Sequence, residues 1–140
     1  MLLDNPRLNE LTRSILGAAI EVHRTLGPGL LESIYFACLQ SELSARGLRF
    51  VTQKPVPIAF KGVDLNGTYR VDLIVEDQVV VEIKSIEALA PIHQAQTLTY
   101  LRVTGCPVGL LINFNVPRLM DGAKRVLNPN ANAGTCHVAR

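Results

Sequence analysis

The chain has 140 residues, 48% hydrophobic and 19% charged, with a formal net charge of +2. That length gives one domain with a single core, and that composition excludes a disordered chain. A charge this small permits a nucleic-acid ligand without indicating one.

The opening "MLLDNPRLNE" has an acid and a proline where a signal peptide would carry basic and then apolar residues, which predicts a cytoplasmic protein. Leu8, Leu11, Ile15, Ala18 or Ala19, Val22 and Leu26 recur at three or four residues, predicting an amphipathic helix of about five turns. Gly27-Pro28-Gly29 stops it, and a second helix is predicted from Leu30 to about Arg46, closed by Gly47.

After Gly47 the pattern becomes that of strands. "LRFVTQKPVPIAFKG" has two prolines among alternating apolar residues and predicts an edge or bent strand. An Asn66-Gly67 hairpin signal precedes two β-branched runs in "YRVDLIVEDQVVVEIKS". "LAPIHQAQTLTYLRVTG" returns to helix with Pro91 in its first turn, and "CPVGLLINF" predicts a strand buried on both faces. "VPRLMDGAKRVLN" reads as a short helix or an irregular return. The whole is an α/β sandwich with a mixed sheet over residues 1–128 and a frayed tail over 129–140.

The longest aliphatic run, near Val108 to Ile112, is far too short to span a bilayer, so no membrane association is expected. Cys38, Cys106 and Cys136 lack CxxC spacing and suggest neither a disulfide framework nor a zinc site.

Glu82 and Lys84 are two apart on a predicted strand and project from one face. Whether Asp72 joins them depends on the hairpin register. A two-residue turn at Asp77-Gln78 puts Asp72 on the opposite face, whereas a three-residue loop (Glu76-Asp77-Gln78) sets it beside Glu82. In the second register the carboxylates stand roughly 5 Å apart at Cβ. Like charges that close need a cation, and oxygen-only ligands favour Mg²⁺ or Mn²⁺, which polarise a phosphodiester and acidify water. The competing reading is a solvated face with a weak surface ion pair. Against it, Ile74 and Val80 share that face and make it partly apolar.

The pattern D-x9-E-x-K (Asp72, Glu82, Lys84) resembles the PD-(D/E)xK nuclease superfamily, with Val71 standing where the superfamily's name has proline. Gln96 and Tyr100 resemble the QxxxY element of its exonuclease branch. "GLLESIY", with Gly29, Glu32 and Tyr35, is similar to the pattern of the GxxExxY proteins, small bacterial members of that superfamily. The resemblance runs from about Leu8 to Asn128 and implies a restriction-endonuclease-like fold, a mixed central sheet flanked by helices. It implies Asp72 and Glu82 as ligands of Mg²⁺ or Mn²⁺, Lys84 as catalytic lysine, and Glu32 as a further acid completing the site. Gln96 and Tyr100 would orient the lysine, the water or the DNA backbone.

Each candidate also has a plain structural reading. With Gly29 as N-cap, Glu32 would sit at N3 and gain roughly 0.3–1 kcal/mol from the helix dipole. Its helical neighbours Phe36, Leu39 and Leu43 nonetheless border the buried stripe. Gln96 and Tyr100 could be an ordinary polar border. Tyr35 and His93 are candidate substrate contacts, and Arg118 and Lys124 could form a basic patch for a phosphate backbone or merely solubilise.

The expected function is metal-dependent hydrolysis of phosphodiester bonds, in DNA. The alternative is a non-catalytic module on a nuclease-like fold that binds nucleic acid or protein, and a homodimer is compatible with either.

Overall fold

The first helix begins where the sequence can cap it. In the computed structural model, which describes residues 5–65 and 69–130, helix α1 spans Pro6–Leu26. Asn5 Oδ1 accepts the Leu8 N–H (3.1 Å), and Pro6 occupies a position whose N–H would have no partner. Its buried stripe runs Leu8, Thr12, Ile15, Ala18, Ala19, Val22 and His23, as the spacing predicts. Helix α2 is Glu32–Ala45, two residues later in starting than expected, and buries Tyr35, Leu39 and Leu43. Leu31 stands at its N-cap without a side-chain cap bond, so Glu32 is the first helical residue and not N3.

The strands are β1 (Phe50–Pro55), β2 (Ala59–Phe60), β3 (Val63–Asp64), β4 (Arg70–Val75), β5 (Val79–Lys84), β6 (Val108–Asn113) and β7 (Ala123–Leu127). Helix α3 (Pro91–Thr104) crosses between β5 and β6. The main sheet has the order β1-β4-β5-β6-β7, with β5 and β6 parallel and every other pair antiparallel. Strands β2 and β3 form a separate two-stranded sheet that turns at Lys61-Gly62. The single bent strand expected after Gly47 is therefore divided. The Asn66-Gly67 signal lies outside the described residues, as does the expected tail beyond residue 130.

One core cluster joins α1 and α2 to the sheet through Ile15, Tyr35, Leu39, Leu73, Val81 and Ile112. A second joins α3 to the other face through Ile74, Val80, Tyr100, Leu101 and Val126. This is a mixed α/β fold whose five-stranded central sheet is flanked by three helices, as the sequence led us to expect. Among the described residues no helix is long and apolar enough to cross a membrane.

One reading is corrected in part. The segment read as a short helix or an irregular return has a 3-10 turn (Leu119–Gly122) but then becomes β7, which covers the open edge of β6. The turn depends on Gly122, where any Cβ would collide with the Asn113 carbonyl oxygen.

Candidate active site

The hairpin of β4 and β5 takes the three-residue loop. Val75 pairs with Val79, Ile74 with Val80 and Leu73 with Val81, which leaves Glu76, Asp77 and Gln78 in the loop. The next position in this register sets Asp72 opposite Glu82. Glu76 and Asp77 have φ of 52° and 56°, a left-handed conformation that costs a non-glycine residue roughly 1–2 kcal/mol. Arg49 offsets that cost: its N–H donates to Glu76 Oε2 (2.6 Å), and its carbonyl accepts the Glu76 N–H (2.9 Å).

At Asp72 and Glu82 the main-chain ladder gives way to side chains. The Asp72 N–H donates to Glu82 Oε1 (2.9 Å), and the Ile83 N–H donates to Asp72 Oδ2 (2.9 Å). Each carboxylate thus holds the other strand's backbone, and both acids are fixed at the parting end of the hairpin.

Their charges are poorly compensated. Glu82 is 5% exposed, and burial, followed by the Asp72 charge, pushes its carboxyl up to about 8. Burial also raises Asp72, against the opposing pull of the Ile83 N–H, Lys84 and Gln53. Glu32 is raised first by burial and also by Asp72, while Lys84 and the Ser85 N–H act the other way. Lys84 is half-buried and influences all three acids, yet forms no ion pair with any of them among the described residues. Glu32 and Asp72 line one cleft of about 180 Å³ with Ser33, Phe36, Gln53 and Ile83.

The approach of Glu32 is set by the loop before it. Gly29 adopts φ +96°, a conformation that favours glycine. The Tyr35 hydroxyl donates to the Gly27 carbonyl (2.6 Å) and accepts the Leu30 N–H (3.1 Å), while the Ser85 hydroxyl donates to the Leu30 carbonyl (2.5 Å). Tyr35 is wholly buried and stacks on Phe114 with ring centroids 4.6 Å apart. The candidate substrate contact at Tyr35 is therefore a clamp inside the protein. Tyr35→Phe is expected to cost about 1–3 kcal/mol, because the Gly27 carbonyl and Leu30 N–H lose a partner. Urea unfolding measures this, and an unchanged midpoint would contradict the clamp.

On α3, Tyr100 is buried in one cluster with Ile74 and Val80, the neighbours of the acids on their strand faces, and Gln96 lies one turn before it. Burial, then the Glu82 and Asp72 charges, push its phenol up to about 12, so it remains a neutral donor. His93 accepts the Ala90 N–H at Nδ1 (2.9 Å) and caps α3. Gln96, Tyr100 and His93 line a second cleft against Tyr69 and Ile58. Arg118 and Lys124 are exposed and line neither cleft. Lys124 pairs with Leu111 and Leu111 with Glu82, which puts it two strands, roughly 10 Å, from the acids.

Sequence reasoning missed Gln53, whose amide donates to Asp72 Oδ1 (3.5 Å) from a left-handed position on β1. No local signal marks it, since it meets Asp72 only through the pairing of Thr52 with Leu73 and Lys54 with Val71. Ser85 was likewise missed.

Among the described residues no three His, Cys, Asp or Glu side chains converge closely enough to hold a metal ion by themselves. The pair Asp72 and Glu82 nevertheless suits a hard divalent cation, being oxygen-only and mutually repelling, with Glu82 buried and Asp72 half-buried. Mg²⁺ in particular takes one or two carboxylates and keeps its waters.

A mixed sheet between helical layers, with paired acids and a lysine where a central hairpin parts, defines a nuclease-like α/β protein. The sequence model of the PD-(D/E)XK nuclease superfamily matches residues 9–126, and the chain belongs to that superfamily. Its nucleases generally use divalent metals and act on nucleic acid. No curated protein and no solved structure matches the chain.

Proposed function

We propose that the protein is a Mg²⁺- or Mn²⁺-dependent nuclease of the GxxExxY group that hydrolyses phosphodiester bonds in DNA. The observation that carries this reading is the pairing of buried Glu82 with half-buried Asp72, locked by reciprocal backbone bonds and with no ion pair among the described residues. Asp72 and Glu82 hold the cation. When bound, the metal neutralises the two acids, polarises the phosphodiester and lowers the pKa of water. Lys84, on the same strand face as Glu82, donates hydrogen bonds to the attacking water or the developing negative charge. Glu32 accepts a hydrogen bond from that water across the cleft that it shares with Asp72. Tyr100, neutral and held by Gln96, donates to the DNA backbone beside Glu82. His93, Arg118 and Lys124 contribute at most to holding the strand.

The absence of a three-ligand cluster among the described residues favours a second reading, a binding module on a nuclease-like fold. Thermal melting of wild type and Asp72→Asn across a Mn²⁺ and Mg²⁺ series, with labelled single- and double-stranded DNA, separates them. A ligand at a hundredfold excess over its dissociation constant stabilises the folded state by about 2.7 kcal/mol. Stabilisation and cleavage confined to the wild type support the nuclease. Stabilisation without cleavage supports the module, and no shift in either protein removes the metal site.

A further inference from the structure

We propose that the cleft lined by Ile58, Tyr69, Ile92, His93, Gln96 and Tyr100 receives one unpaired base of a DNA strand whose phosphate lies at Asp72 and Glu82. The protein then prefers single-stranded ends to closed duplex. This rests on the nuclease reading for the place of the phosphate.

The cleft holds about 360 Å³, inside the roughly 300–1,000 Å³ range of small-molecule sites. Among the described residues no Lys, Arg, Asp or Glu lines it. A phosphate there would find no cation and would meet the field of the neighbouring acids, so the occupant is an uncharged group. The walls suit a planar heterocycle. Tyr69 and Tyr100 stand with ring centroids 6.5 Å apart and planes at 57°, forming an aromatic corner. Ile92, 69% exposed, and Tyr69, 45% exposed, leave apolar surface at the mouth with nothing packed over it among the described residues.

The polar groups suit a base edge. The Gln96 amide offers both a donor and an acceptor. His93 accepts the Ala90 N–H at Nδ1, which leaves the neutral ring's proton on Nε2 as a donor. Tyr100 is the wall nearest the acids, since it shares a buried cluster with Ile74 and Val80, which lie two positions from Asp72 and Glu82 on the same strand faces. A base seated against it lies on the same side of the sheet as the proposed site of hydrolysis. In duplex DNA a base must first be unstacked and unpaired, at a cost that a single strand avoids.

The test is Tyr69→Ala, which removes an exposed ring and needs no core repacking. Fluorescence anisotropy would compare a labelled single strand, the same strand with an abasic site and a blunt duplex, each in Mg²⁺ and in EDTA. Wild type is expected to bind the single strand at least about tenfold more tightly than the duplex. Tyr69→Ala should lose about tenfold for the single strand, the scale of one base–aromatic stack, and little for the abasic strand. Its metal-induced melting shift should equal that of wild type.

Equal binding of the single strand by both proteins overturns the inference, as does a wild-type preference for duplex or no binding at all. The nuclease reading fails separately. Tyr69-dependent binding without a metal shift or cleavage sinks that reading and keeps the base cleft, whereas cleavage without Tyr69 dependence does the reverse.

Discussion

Lys84→Ala is expected to lower the turnover of single-stranded DNA by about 10²–10³-fold, the usual loss when one charge-stabilising donor is removed from a reacting centre. The protein should remain folded, because Lys84 is half-buried at the end of β5 and, among the described residues, forms no ion pair whose partner would be stranded. A second effect accompanies the first. The Lys84 charge opposes the upward shift of Glu32, Asp72 and Glu82, so the variant's acids should protonate more readily and bind metal less well near neutrality. Raising the pH and the Mn²⁺ concentration should restore metal binding, read as a melting shift, without restoring turnover. If turnover returns in full under those conditions, Lys84 serves only to tune the acids and has no part in the reaction.

In metal-free buffer, wild type is expected to lose stability between about pH 5 and pH 8. The cause is Glu82, pushed up to about 8 by burial and by Asp72, against an ordinary value of 4.5. Below pH 4.5 the group is protonated whether the chain is folded or not, and no penalty exists. Between the two values the unfolded chain releases this proton while the folded protein keeps it. The unfolded state then binds fewer protons, so each pH unit costs about 1 kcal/mol. Above pH 8 both states are ionised and the penalty stays constant. Asp72 is raised too, so the slope belongs to the pair and not to Glu82 alone. Glu82→Gln should flatten the profile and be the more stable protein at pH 8. Saturating Mn²⁺ should reverse the fall in wild type alone. Melting across the pH series reads all three, and a flat wild-type profile would falsify this account of the pair.

Helices α1 and α2 were legible from their apolar spacing and the glycines that stop them, Gly27 and Gly47, and α3 from Pro91 in its first turn. The acids were legible as a pattern, but their meeting was not. It depended on one residue of loop, and the three-residue loop is held by Arg49, which lies 27 positions from Glu76. Glu32 was correctly placed at the start of a helix but assigned the wrong turn position, since Leu31 and not Gly29 precedes the first helical residue. Tyr35 shows the limit more sharply. A tyrosine in a motif carries the same letter whether it touches a ligand or ties down its own backbone, and only burial and bonded partners separate the two. Strand β7 was missed because five residues of mixed polarity carry no period of their own and become a strand only against β6.

The reciprocal bonds at the end of the hairpin make the main chain part of the chemistry. Strands β4 and β5 are tied there through groups that titrate, whereas an ordinary ladder bond is indifferent to pH. The amide protons of Asp72 and Ile83 are therefore built-in gauges, each resting on a carboxylate oxygen of the opposite strand. Their resonances respond to the ionisation of the pair from the backbone. Ionisation of the pair, or its neutralisation by a cation, is thus written into the backbone as well as the side chains.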